Sequence, residues 1–170
     1  MRDVLYLHSC IGPLRQFLAI LRQGEDENDL SKEMFEDIEA ILSHMIFFIT
    51  DTEDEDPLTC EGIQRRHRQQ CMRELQLIEL LCDILYYPFQ GERLFDIRQM
   101  SPDHPMTRIC QLVYRLLKHT AKGYVRNILY EAQWIDLFFK EAMMTSEEND
   151  LMAEGTITEL LSTNQELLDK

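Results

Sequence analysis

The sequence predicts an all-α protein, and three observations carry that prediction. Apolar residues recur every three or four positions along each long segment, and none shows the strict alternation of a strand. Glycine and proline are few, six and five in 170 residues, and most fall between those segments. Leu, Met, Glu and Gln, which lose little rotamer freedom in a helix, outweigh Val and Thr. About six amphipathic helices result. They form a bundle or an irregular solenoid, because no repeat of fixed period is visible.

At the N-terminus, Val4, Leu7 and Ile11 have helical spacing, but Gly12-Pro13 predicts a break. A helix then runs from Pro13 to about Gln23 on Leu14, Phe17, Leu18 and Leu21, with Gly24 as its stop. Residues 25–30 form an acidic linker. Ser31 is placed to cap the next helix, whose apolar face is Phe35, Ile38, Ile41, Leu42, Met45 and Ile49. A second acidic stretch, DTEDEDP at 51–57, separates it from one long helix over about 59–87. That helix buries Met72, Leu75, Ile78, Leu81, Cys82 and Leu85, and Pro88 ends it. Residues 88–103 read as a surface loop. Pro105 opens a helix carrying Ile109, Leu112, Val113, Leu116 and Leu117 that stops at Gly123. The next begins near Tyr124, uses Ile128, Leu129, Ile135, Phe138 and Phe139, and breaks around Ala132. Thr156 and Glu159 have capping-box spacing for a last helix with Leu160, Leu161, Leu167 and Leu168.

A chain of 170 residues is the size of one domain, so residues 1–170 read as a single helical unit. It starts and stops inside helical patterns, the mark of a piece of a larger protein. The net charge of −14 repels phosphate polymers, which argues against a nucleic-acid partner. Five cysteines, Cys10, Cys60, Cys71, Cys82 and Cys110, are odd in number and include no C-x-x-C pair. They read as reduced, buried thiols. The longest apolar run, Met45 to Ile49, is too short to span a bilayer, and no secretory signal pattern opens the chain.

The motifs of catalysis are missing: no Gly-rich phosphate loop, no H-E-x-x-H and no G-x-S-x-G occurs, so no enzyme and no cofactor is expected. His67 and Cys71 lie one helical turn apart but lack a second ligand pair, so no metal site is expected. The acidic loops fail as EF-hands, because Asp56 and Leu30 stand where the loop needs glycine. Positive charge is more informative. Arg65, Arg66, Arg68 and Arg73 form one group, and Arg115, Lys118, Lys122 and Arg126 another. Arg66 and Arg73, seven apart, share a helix face, and two basic faces on neighbouring helices can make a concave anion site.

Three stretches, CMRELQLIELLCDIL (71–85), QLVYRLLKH (111–119) and MAEGTITELLSTNQELL (152–168), resemble in order and spacing the homology domain shared by inositol trisphosphate and ryanodine receptors. The resemblance covers about residues 35–169, and its last stretch leans toward the inositol trisphosphate branch. It implies an armadillo-like helical solenoid on the cytosolic face of the endoplasmic reticulum, within a homotetrameric calcium-release channel. It also implies a β-trefoil neighbour that supplies the opposite wall of the ligand pocket. The family's phosphate-binding positions fall on Arg66, Gln70 and Arg73 in one helix and on Tyr124, Val125 and Arg126 after the next. Arg66, Arg73, Tyr124 and Arg126 keep suitable chemistry, whereas Gln70 and Val125 each replace a cation, which leaves inositol trisphosphate as a weak ligand.

The function expected is a regulatory module that contributes to ligand-controlled gating by shifting between two packings. The alternative is a helical scaffold that binds acidic or amphipathic peptides.

Overall fold

A computed structural model describes residues 2–23, 30–53, 56–90 and 95–168, with 163–168 as backbone only. The linker expected at 25–30 and the apolar Leu167 and Leu168 lie largely or wholly outside what it describes. Among the described residues there is no strand and there are eight α-helices: α1 (Arg2–Gln23), α2 (Lys32–Thr50), α3 (Arg66–Glu74), α4 (Leu77–Tyr86), α5 (Pro105–Ala121), α6 (Val125–Glu131), α7 (Ile135–Met144) and α8 (Ala153–Leu168). The all-α class holds. The helix number exceeds the six or so expected because the long helix of 59–87 divides into α3 and α4, while the break expected near Ala132 separates α6 from α7.

The centre of the molecule is α5. It buries Met106, Ile109, Cys110, Leu112, Val113, Leu116 and Leu117 and packs on α2, α8, α6 and α4. Its entry follows the sequence: Pro105 takes the first turn, and His104 Nδ1 accepts from Met106 N at 3.0 Å. Ser31 likewise caps α2, its Oγ accepting from Met34 N at 3.1 Å.

Four expectations are corrected. First, α1 runs unbroken through Gly12 and Pro13. Both are solvent-exposed, while Leu7, Cys10, Leu14, Phe17, Leu18 and Leu21 make one continuous buried stripe. A mid-helix proline costs about 3 kcal/mol, and six buried side chains at roughly 1.5–3 kcal/mol each outweigh it. This helix is also long and apolar enough, at mean hydropathy 1.3, to cross a membrane by composition. Its buried stripe packs against α2 and α4.

Second, the long helix of 59–87 starts only at Arg66 and is interrupted at Leu75–Gln76, where Gln76 is left-handed at φ 62°. The preceding segment wraps the end of α2, with Ile63 N donating to Thr50 O at 2.9 Å. Gly62 sits there at φ 58°, and a Cβ on it would run into Thr50 O. Third, of the surface loop expected at 88–103, residues 88–90 and 95–103 are pinned rather than superficial: Phe89, Phe95, Ile97 and Met100 are buried, and the His104 ring lies edge-on to Phe35 and Phe95. Fourth, α8 begins at Ala153, so Thr156 is no cap. Its buried Oγ1 donates to Tyr114 O at 2.7 Å and ties α8 to α5. The break near Ala132 is real, a 3-10 turn over Ala132–Trp134. Leu129, Phe139 and Leu161, counted on by periodicity, are exposed.

Candidate functional site

Helix α3 carries Arg66, Gln70 and Arg73 at i, i+4 and i+7, which puts all three on one face. That face looks onto the reversal between α5 and α6. Gly123, left-handed at φ 68°, turns the chain there, and Tyr124 follows in extended conformation as the residue before α6. Arg66 stacks on the Tyr124 ring, its guanidinium carbon 4.2 Å from the centroid, and donates from Nη2 to Gly123 O at 2.9 Å. Arg73 approaches the same ring at 5.5 Å and donates from Nη1 to Tyr124 Oη at 3.2 Å and Asn127 Oδ1 at 2.7 Å. Three of the four positions expected to hold phosphate therefore meet in one cluster. Arg126, exposed on the first turn of α6, has no hydrogen bond or ion pair to any described residue. Gln70 bonds Glu74 at 2.8 Å, and Val125 is exposed, so neither replaces the cation its position lacks.

Beneath the cluster lie two buried amides that periodicity did not single out. Gln69, 1% exposed, donates from Nε2 to His119 O and Lys122 O, both at 2.9 Å. Asn127, wholly buried, donates from Nδ2 to Gln69 O and Thr120 O, both at 2.9 Å. The carbonyls at the end of α5, which no helical N–H can reach, are in this way satisfied by side chains of α3 and α6. The one sequence signal for Asn127 is its spacing from Glu131: two polar residues four apart on a short helix, both buried.

The second basic group is divided among other tasks. Arg115, 8% exposed, donates from Nη2 to Cys60 O at 2.8 Å and Glu61 Oε1 at 2.9 Å, and Lys122 Nζ reaches Glu61 Oε2 at 3.2 Å. Partial burial works to raise the Glu61 carboxyl, but hydrogen bonds from Arg115 and Lys122 hold it down at about 2. His119 is buried beside them and lowered to about 4, first by desolvation and then by Arg115. Its Nδ1 accepts from Gln64 Nε2 at 3.0 Å, which leaves the proton on Nε2. Arg65 pairs with Asp51, and Arg68 pairs with Asp3 and Asp51 while stacking on Phe48 at 4.3 Å. Of the expected basic faces, only Arg66 and Arg73 face the Tyr124 turn.

Two buried carboxyl groups also escaped the sequence reading. Glu141 is 3% exposed and raised to about 8 by burial, with Tyr114 Oη donating to its Oε1. Glu131 has no exposure and no hydrogen-bond partner on either oxygen among the described residues, and burial pushes it well above the carboxylate range. Among the described residues, no three His, Cys, Asp or Glu side chains gather as a metal site. His67 Nε2 and Cys71 Sγ stand 3.7 Å apart as an isolated pair. All five cysteines are free and buried.

Comparison with known proteins bears on the family. The family model of the RIH domain, of ryanodine and inositol trisphosphate receptors, matches residues 39–170. The chain belongs to the RIH domain family. It is also 28% identical, over an alignment of 186 positions that takes in its whole length, to the inositol 1,4,5-trisphosphate receptor itr-1 of Caenorhabditis elegans. The chain spans about 6% of the length of that relative. The resemblance read over residues 35–169 is borne out nearly to its stated start.

Proposed function

We propose that the chain is a regulatory, non-catalytic module of a calcium-release channel of the inositol trisphosphate receptor kind, on the cytosolic face of the endoplasmic reticulum. In this reading it forms one wall of an anion site and relays the ligand's effect through its packing to neighbouring domains of a homotetrameric channel. A β-trefoil domain supplies the other wall.

The observation that supports this reading best is the convergence of Arg66 and Arg73 on Tyr124. Each guanidinium is held through one nitrogen, and its remaining donors are unengaged among the described residues. Arg73 is tied through Nη1, which leaves its Nε–Nη2 edge, the parallel pair of donors that grips an oxyanion, for phosphate. The ligand is inositol 1,4,5-trisphosphate, bound weakly. Gln70 and Val125 replace two cations, each worth roughly 1.5–3 kcal/mol in a charge-assisted bond, so affinity drops by about two to four orders of magnitude. Arg65, Arg68 and Lys122 do not compensate, because Asp51, Asp3 and Glu61 already engage them.

Displacement binding of radiolabelled inositol 1,4,5-trisphosphate to the full-length protein tests this. The expected result is weak, salt-sensitive binding that falls at least about tenfold in Arg66→Gln and again in Arg73→Gln. Binding unchanged by both substitutions contradicts it.

A further inference from the structure

We propose that Asn127 and Gln69 are positioning residues that aim Arg73 at the ligand and fix its distance from the Tyr124 turn. This rests on the anion-site reading above and deepens it. A primary amide has two N–H donors and one acceptor oxygen. Asn127 spends both donors on Gln69 O and Thr120 O, so its orientation is fixed and Oδ1 has to face Arg73, 2.7 Å away. Gln69 spends both of its donors on His119 O and Lys122 O, at the very end of α5. One amide therefore ties α6 to α3 and α5, and the other ties α3 to the residue before Gly123. Both are essentially without exposure, where each hydrogen bond is strong and an alternative arrangement would strand a polar group.

The choice of asparagine matters. An aspartate at the same place would also accept from Arg73, but would cancel the charge a phosphate needs. Asn127 orients the guanidinium and leaves its full positive charge to the site. Tyr124 adds the second constraint by accepting from the same Nη1 at 3.2 Å. Held on that side, Arg73 presents its Nε–Nη2 edge in a single direction, so little orientation has to be fixed when an oxyanion arrives.

A double-substitution cycle in the full-length protein, read by displacement of radiolabelled inositol 1,4,5-trisphosphate, separates positioning from simple structural support. Asn127→Leu is expected to weaken binding at least about tenfold when Arg73 is present. In an Arg73→Gln background the same substitution is expected to change affinity by less than about twofold, because its effect passes through the arginine. A core control remote from the site, Ile109→Val, should leave affinity unchanged in both backgrounds. Equal losses from Asn127→Leu with and without Arg73 would overturn the positioning role, as would no loss in either. If Asn127→Leu does not fold, Asn127→Ser, which also withdraws the acceptor from Arg73, carries the same cycle with the same expectations. If Arg73→Gln alone leaves affinity unchanged, or the unsubstituted protein does not bind the probe, the anion-site reading itself fails, and the positioning proposal with it.

Discussion

Glu141 shows how single residues set the stability of this chain. Its carboxyl lies against Tyr114 in the interior and is raised to about 8 by burial, against an ordinary value of 4.5. Between those values the folded protein holds a proton that the unfolded chain has released. Its contribution to stability is complete below about 4.5 and is lost as pH rises through about 8, at up to roughly 1.4 kcal/mol per pH unit. Glu131, raised in the same direction by burial and by Glu159, adds to the trend. His119 acts oppositely: lowered to about 4, it removes stability as pH falls from 6.5 toward that value. Urea unfolding at pH 6 and pH 9 should therefore show the native chain losing stability across this interval, and Glu141→Gln losing distinctly less. Equal losses in the two proteins would show that Glu141 is already ionised in the fold.

The element scale separates what periodicity can show from what it cannot. Apolar spacing marked the segments in which the helices lie, because burying one stripe is the same problem wherever a helix packs. It did not locate breaks forced by neighbours. The segment before α3 stays extended because it closes over the end of α2 through Ile63 N and Thr50 O, a contact between residues 13 apart that no local pattern encodes. The α3–α4 break is similar. Gln76 adopts φ 62°, a conformation usually left to glycine, so the sequence there carries no glycine to announce it. Pro13 misled in the other direction, since its exposure on α1 depends on which face the tertiary packing buries. Gly62 gives the sharpest test at this scale. It combines φ 58° with a Cβ position that would strike Thr50 O and lie 2.8 Å from Thr52 Cγ2. Gly62→Ala should cost about 2 kcal/mol or more in chemical denaturation, from left-handed strain plus a backbone clash. A cost within about 0.5 kcal/mol, typical of open surface, would mean that the 56–65 segment does not close over α2 as described.

Across the whole molecule, α5 joins the buried side of α2 to α8, and its C-terminal end forms the floor of the candidate site. In the proposed function that connection is the route of the relay: a ligand that draws Arg73 toward itself pulls on Asn127, which is tied to Gln69 O and to Thr120 O of α5. Family resemblance made the positions Arg66, Arg73, Tyr124 and Arg126 legible from the sequence, and helical spacing explained why the first two share a face. The amides beneath them were not legible, because a buried polar residue on a short helix looks like a solvated one until its partners are known. The basic stripe of Arg115, Lys118 and Lys122 was overread for the same reason, since its chief partner, Glu61, lies over fifty residues away. In the proposed function the α3 face and the Tyr124 turn form an inositol trisphosphate site short of two cations. Its most direct test is to restore both together, Gln70→Lys with Val125→Arg, and measure the affinity of the full-length protein for inositol 1,4,5-trisphosphate. A gain of at least about tenfold, or ~1.4 kcal/mol, that shrinks as salt is raised is expected. Affinity unchanged or weakened by the restored cations would contradict it.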